Sequence, residues 1–161
     1  EPQIQGNHIY TQIIKIITDL LPSQVRVVLD SEVIEPGFNL NKFLLKELSF
    51  IKKIKSAKEK RLKVHLNLPK EVLYIKEEER LWVALLNIIE NAIRYNKEKG
   101  EIKISLKRKD DKAIITVKDT GIGITQGCWT TEVLKRGIRA PNAIKFNRKS
   151  DGLGLYVAKC F

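Results

Sequence analysis

Two clusters of acid and glycine hold the chemical interest of this chain. Asp119-Thr120-Gly121-Ile122-Gly123-Ile124 and Asp151-Gly152-Leu153-Gly154-Leu155 stand out because the chain has only nine glycines. Glycine lets a phosphate come close to the backbone. A helix that opens at Gly152 offers unpaired N–H groups and the positive end of its dipole to an anion. An acid and two glycines after a strand are also an ordinary turn, so the first cluster alone leaves both readings open. A third set lies upstream. Asn87 and Asn91 are four residues apart and fall on one helix face, followed by Arg94 and Tyr95. Asparagine is a poor former of helix interiors. Two on one face of a strong helix are either a solvent-facing edge or amides that line a site.

The elements that must hold these groups follow from periodicity. Ile9, Ile13, Ile16 and Leu20 recur at helical spacing and predict a helix over 9–21, ended by Pro22. Residues 25–34 are apolar but ambiguous, and Pro36-Gly37 is a break. Asn39 or Asn41 can cap a helix that carries Leu44, Leu45, Leu48, Ile51 and Ile54 and runs to about Arg61. Val64, Leu66 and Leu68 alternate with polar residues, which predicts a strand with His65 on its polar face. The strongest helix spans 78–97, with Leu81, Leu85, Ile88, Ala92 and Tyr95 as its stripe and Gly100 beyond its end. Ile102, Ile104 and Leu106 begin a hairpin whose second arm, 113–118, leads into Asp119. Residues 125–150 read as irregular, and a short helix closes the chain. Helices on one face of a mixed, mostly antiparallel sheet make an α+β, two-layer sandwich.

Composition sets the outer bounds. The chain has 161 residues, 43% of them hydrophobic, enough for one compact domain with a small appendage. The early apolar stretch is cut by Lys15 and Asp19 and is too short to span a bilayer. We expect a soluble, cytoplasmic piece, which leaves room for membrane segments in a longer parent chain. Cys128 and Cys160 lack metal-ligand spacing and suit a reduced setting. His8 and His65 suggest no metal site. The net charge is +11, with nine Lys/Arg against two acids over 42–63 and six against one over 125–150. The first run reads as a solvated helix face. No nucleic-acid motif accompanies it, so no nucleic acid is expected as a partner.

The three sets in order are NIIENAIRYN (87–96), DTGIGI (119–124) and DGLGLYVAK (151–159). Together they resemble the ATP-binding catalytic domain of bacterial sensor histidine kinases. The wider superfamily includes type II topoisomerase, mismatch-repair and heat-shock ATPases. FNLNKFLLKEL and EEERLWVALLN resemble the family's lead-in, so the likeness covers roughly 36–161. It implies a Bergerat-type fold and a nucleotide-binding set of Asn87, Asn91, Arg94, Tyr95, Asp119, Gly121, Gly123, Ile124, Arg139, Gly152, Leu153 and Gly154. By resemblance, Asn91 gives an amide oxygen to Mg²⁺, Arg94 reaches a phosphate, and Tyr95 packs by the adenine or ribose. Asp119 accepts from the exocyclic amino group of adenine. Gly121 and Gly123 lie along the base, and Gly152 and Gly154 cradle the phosphates. The 125–150 segment is the ATP lid, with Arg139 and Lys145, Arg148 or Lys149 near the triphosphate. The superfamily's ATPases carry a water-activating Glu four residues before the metal asparagine. Here that position is Asn87, which cannot be a general base. The likeness therefore implies phosphoryl transfer to a protein histidine, with a response-regulator receiver domain as partner.

The chain departs from the family pattern in four places. Ser150-Asp151 stand where the family has Gly and a small hydroxyl residue. An Asp beside a triphosphate is repulsive unless cations compensate, or it serves as a helix cap. The phenylalanine-rich lid motif is reduced to Leu134–Arg139, with Trp129 as a candidate anchor. The family adds two strands after the closing helix, so the sheet is expected to lack its last strands or the sequence to omit residues. No acid and proline follow His8, so it is not read as the phosphoacceptor. Residues 1–35 are expected to be a helical segment, a remnant of a dimerisation hairpin or a linker, through which the parent protein forms a homodimer. The alternative function is a nucleotide-binding sensor or scaffold without phosphotransfer.

Overall fold

The computed structural model describes residues 17–19, 24–30, 38–75, 79–124, 132–147 and 149–160. In chain order they form β1 (Ile17–Asp19), β2 (Gln24–Asp30), β3 (Phe38–Asn39), α1 (Leu40–Ile51), α2 (Lys55–Glu59), β4 (Lys63–Asn67), β5 (Tyr74–Ile75), α3 (Glu79–Arg94), β6 (Glu101–Lys109), β7 (Lys112–Asp119), α4 (Pro141–Phe146) and α5 (Gly154–Cys160). One sheet has the order β1-β2-β7-β6-β4, and β3 with β5 makes a separate pair. Among the described strands only β4 and β6 run parallel. The other pairs are antiparallel.

Alternation decides which face is covered. Ile104 pairs with Val117 and Leu106 with Ile115. These four and Ile102 and Ala113 are 2% exposed or less. Their neighbours Lys103, Lys107 and Lys118 are exposed. The helices lie on the apolar face: Leu81, Ala84, Leu85, Ile88, Ile89 and Ala92 of α3 join Leu40, Phe43, Leu44 and Ile51 of α1 in one core. Each fully buried Leu or Ile contributes about 1.5–3 kcal/mol. Asn39 caps α1, its Oδ1 accepting from the Lys42 N–H at 2.9 Å. Asn41 instead ties α1 to the chain between β4 and β5. Its amide donates to the Pro69 and Glu71 carbonyls and accepts from Leu73 N–H.

Three elements differ from the sequence reading. Ile17–Asp19, the described part of the expected helix over 9–21, is a strand paired with β2; residues 1–16 and 20–21 lie outside the described residues. The described part of the ambiguous stretch, 25–30, lies in β2, which pairs with β7 from Gln24↔Lys118 to Asp30↔Lys112, and 31–34 lie outside the described residues. Val25, Val27 and Leu29 alternate, and β-branched residues fit a pleated surface. Val27 and Leu29 are 0% and 1% exposed. The described part of the expected helical segment is thus sheet, because burying these side chains beside Ile115 and Val117 outweighs the helical spacing of Ile9, Ile13, Ile16 and Leu20. The flank of β7 away from β6 is therefore taken from the N-terminal side. Second, the helix expected to reach Arg61 breaks after Ile51, with Ile54 in an extended conformation before α2. Third, the irregular 125–150 segment contains α4. Pro141 occupies its first turn, where a missing N–H costs nothing.

Candidate functional site

α3 is the spine of the site. Asn87 donates its Nδ2 to the Val83 carbonyl at 2.8 Å, one turn back. That fixes the amide, because a carbonyl only accepts, and leaves Oδ1 turned from it. α5 packs across this face of α3, with Ala158 fully buried. A methyl group on Gly154 would lie 3.2 Å from Asn91 Nδ2 and 3.5 Å from Asn87 Oδ1. The two asparagines therefore face the glycine that opens α5. This is a close approach of α5 to α3 that a side chain would crowd. Gly152 sits just before, at φ +73°, where a Cβ would also meet Arg139 Cγ at 2.7 Å.

The far end is built around the last turn of α3. Asp119 ends β7 and is 9% exposed. Its Oδ1 accepts from Gly121 N–H at 2.7 Å. The Tyr95 carbonyl accepts from Ile122 N–H at 3.1 Å. A Cβ on Gly121 would fall 2.4 Å from that carbonyl oxygen, so the turn closes on α3 only because this residue is glycine. Residues 121–124 are half-buried, Ile124 with them.

Sequence reasoning missed the bracket beneath this turn. Asn96 is 1% exposed. Its Nδ2 donates to the Glu101 carbonyl, and its Oδ1 accepts from Thr120 Oγ1 and Lys97 N–H. Thr120 Oγ1 in turn accepts from Glu101 N–H at 2.9 Å. The end of α3, the start of β6 and the end of β7 are thus tied by one amide and one hydroxyl. Gly100 carried the signal: a Cβ there would lie 2.1 Å from Asn96 Oδ1. Lys60 was also missed. Its ammonium donates to the carbonyls of Ile93, Arg94 and Asn96 at the negative end of α3. Burial pushes its pKa below the ordinary lysine value. The same Nζ lies 5.6 Å from the centre of the Phe146 ring.

The lid side brings together some expected residues and turns others inward. Arg94 Nη1 and Tyr95 OH both donate to Ser150 Oγ, at 3.3 and 3.2 Å. The Tyr95 ring lies 6.1 Å from that of Phe146. Arg139 does not extend into the site: its Nη2 donates to the carbonyls of Ala143 and Asn147 and so caps α4. Asp151 is exposed, and its Oδ1 accepts from Leu153 N–H at 3.2 Å, which spends the carboxylate on the turn into α5. The Leu153 carbonyl accepts from Val157 N–H. Lys145 and Lys149 are exposed. Trp129, Arg148 and the rest of 125–131 lie outside the described residues. Asn142 of α4 reaches the glycine turn, donating Nδ2 to the carbonyls of Ile122 at 3.2 Å and Gly123 at 2.8 Å.

The described residues contain no cluster of three His, Cys, Asp or Glu side chains suited to a metal. The donors present are amide oxygens, which fit a hard cation carried mainly by phosphate and water. Taken together, the arrangement has an acid at one end, an amide pair and a glycine-opened helix at the other, and a covering segment.

Residues 76–160 match the family model described as histidine kinase-, DNA gyrase B- and HSP90-like ATPase. The chain belongs to this family. Among its relatives are the sensor histidine kinase WalK of Bacillus subtilis, 32% identical over 112 residues, covering 68% of this chain and 18% of WalK. The circadian input-output histidine kinase CikA of Synechococcus elongatus is 26% identical over 156 residues, covering 96% of this chain and 20% of CikA. The sensor protein SrrB of Staphylococcus aureus is 28% identical over 128 residues, covering 76% of this chain and 22% of SrrB. The chain thus spans about a fifth of the length of these relatives. The fold of this ATPase-family member is similar to that of the mycobacterial sensor histidine kinase MprB, with a TM-score of 0.63, 20% identity and 77% of each chain covered. It is also similar to the catalytic domain of the histidine kinase ThkA, with a TM-score of 0.62, 20% identity and 76% of each chain covered. No helix among the described residues is long and apolar enough to cross a membrane.

Proposed function

We propose that this chain is the ATP-binding catalytic part of a two-component sensor histidine kinase. The observation that carries the reading is the junction of α3 and α5, where Asn87 and Asn91 face the backbone of Gly154. It supports a triphosphate lying along α5 with its base toward Asp119. A solved relative, full-length ShkA, is described in complex with AMPPNP. Adenine presents its 6-amino group to a carboxylate, whereas guanine has a carbonyl at that position, so Asp119 placed against that edge selects ATP. Asn91 Oδ1 would hold Mg²⁺ together with the phosphates, and the cation would supply charge neutralisation at the transferring group. Arg94 and Tyr95 lie one turn along and orient the nucleotide.

The reaction is positioning and charge neutralisation rather than covalent chemistry by this domain. A nitrogen of a protein histidine attacks the γ-phosphorus, the bond to the β–γ bridging oxygen breaks, and ADP leaves. The phosphoryl group then passes to an aspartate of a response-regulator receiver domain. Asn87 argues against hydrolysis. Its amide cannot take a proton from water, and its Nδ2 is held by Val83. The histidine comes from another part of the parent protein or from its partner in a homodimer.

Titration calorimetry with Mg-ATP analogue tests the reading. Wild type binds, and Asp119→Asn and Asn91→Ala each weaken binding by roughly tenfold or more, the loss of one charged or metal-linked contact. Undiminished binding in both variants would sink the site assignment. A second reading, a nucleotide-sensing module without transfer, is favoured by one feature: Arg139 is committed to α4 carbonyls. Tight Mg-ADP binding with no labelling of an added histidine hairpin would decide for it.

A further inference from the structure

We infer that Asn142 is a positioning residue for the nucleoside half of the site, so that the covering segment governs base recognition as well as phosphate binding. The inference rests on the nucleotide reading above and deepens it. α4 is six residues long, and Arg139 clamps its C-terminal carbonyls, so it behaves as one small unit. From its first turn Asn142 donates both N–H bonds outward, to Ile122 O at 3.2 Å and Gly123 O at 2.8 Å. Carbonyl oxygens only accept, so the orientation of this amide is fixed by chemistry. These two carbonyls belong to the turn that Asp119 and Gly121 begin, and Gly123 holds it at φ +66°. Asn142 therefore joins α4 to the turn immediately after the acid that selects the base.

A second observation points the same way. Asn142 Oδ1 is buried and has no hydrogen-bond partner among the described residues. Leaving a buried acceptor unmet is unfavourable, and the group that satisfies it must be a donor. Lost packing alone would not require the amide. An aspartate has the same shape but no N–H, and it would set a carboxylate against two carbonyl oxygens. Asn142→Asp thus separates a latch from a filler of space.

The full chain is titrated with Mg-ADP and with adenosine, which has no phosphates, and followed by amide NMR. Asn142→Ala and Asn142→Asp are each expected to weaken both ligands by about five- to twentyfold, the loss of two neutral hydrogen bonds. In the nucleotide-free protein the Gly121, Ile122 and Gly123 amide signals shift in both variants, while those of β4 stay in place. Wild-type affinity in Asn142→Asp overturns the inference, as does weakening confined to Mg-ADP with adenosine unchanged. Unmoved turn signals in the free variants overturn it too. If wild type binds neither ligand, the nucleotide reading falls and the positioning role falls with it, but the turn signals still report whether the contact exists.

Discussion

Asp119 and Gly121 show how narrowly one turn is specified. The carboxylate accepts from the Gly121 N–H, and the glycine lies against the Tyr95 carbonyl. Gly121→Ala would drive a methyl group to 2.4 Å from that oxygen. Relief means moving backbone, and overpacking of this kind costs about 1–3 kcal/mol. We expect Gly121→Ala to lower the urea midpoint and to weaken Mg-ADP binding together, whereas Asp119→Asn weakens binding with little change in the midpoint. A Gly121→Ala protein that binds like wild type would contradict the geometry. Asp151 is the opposite case. It raised an electrostatic objection in the sequence, and the structure answers it by spending the carboxylate on Leu153 N–H. Asp151→Asn keeps that acceptor, so nucleotide affinity should change less than about twofold, well below the effect of a single charged contact.

At the scale of elements, α3 carries most of the site, and its end is held by a residue far away in sequence. Lys60 supplies three donors to the carbonyls of Ile93, Arg94 and Asn96. Lys60→Met keeps the length and removes the donors. We expect a loss of about 1–3 kcal/mol in denaturant unfolding, the cost of unmet buried carbonyls, with broadened amide signals at residues 93–96. Unchanged stability would show that water serves those carbonyls equally well. The elements themselves were largely legible. The stripe of α3 and the alternation of β4 and β6 follow from spacing of three to four and of two residues, and the three chemical boxes were legible from their residue types and from the family resemblance. What escaped the sequence was anything decided by a distant partner. Lys60 looked like one cation in a basic run. Asn96 stood at the end of the first box with no role of its own and Asn142 fell in a segment read as irregular, because their acceptors lie in other elements. Arg139 looked like a phosphate ligand, because the carbonyls it caps belong to a helix that the sequence did not reveal.

For the whole molecule, the clearest difference lies at the N-terminal side. Leu20 shares a helical spacing with Ile9, Ile13 and Ile16, and periodicity alone carries the helix across Ile17 to Asp19. The long pairing of β2 with β7 decides otherwise. A variant that begins at residue 36 removes Val27 and Leu29 from the core and bares the flank of β7. Deleting buried Val and Leu side chains costs about 2–5 kcal/mol each in comparable cores, and an exposed strand edge invites pairing between molecules. We therefore expect the shortened protein to unfold at lower denaturant and to associate in size-exclusion chromatography. A monomer with the midpoint of the full chain would show that the two strands are dispensable. The same pairing has a mechanical side. Gln24 is opposite Lys118, the residue before Asp119. A pull away from β7 on the chain before β2 loads the Gln24↔Lys118 pair first, the pair next to Asp119. Strands loaded at the same end of an antiparallel pair open one pair at a time, so such a force would displace the chain beside Asp119 before the pairs toward Asp30↔Lys112 carry it.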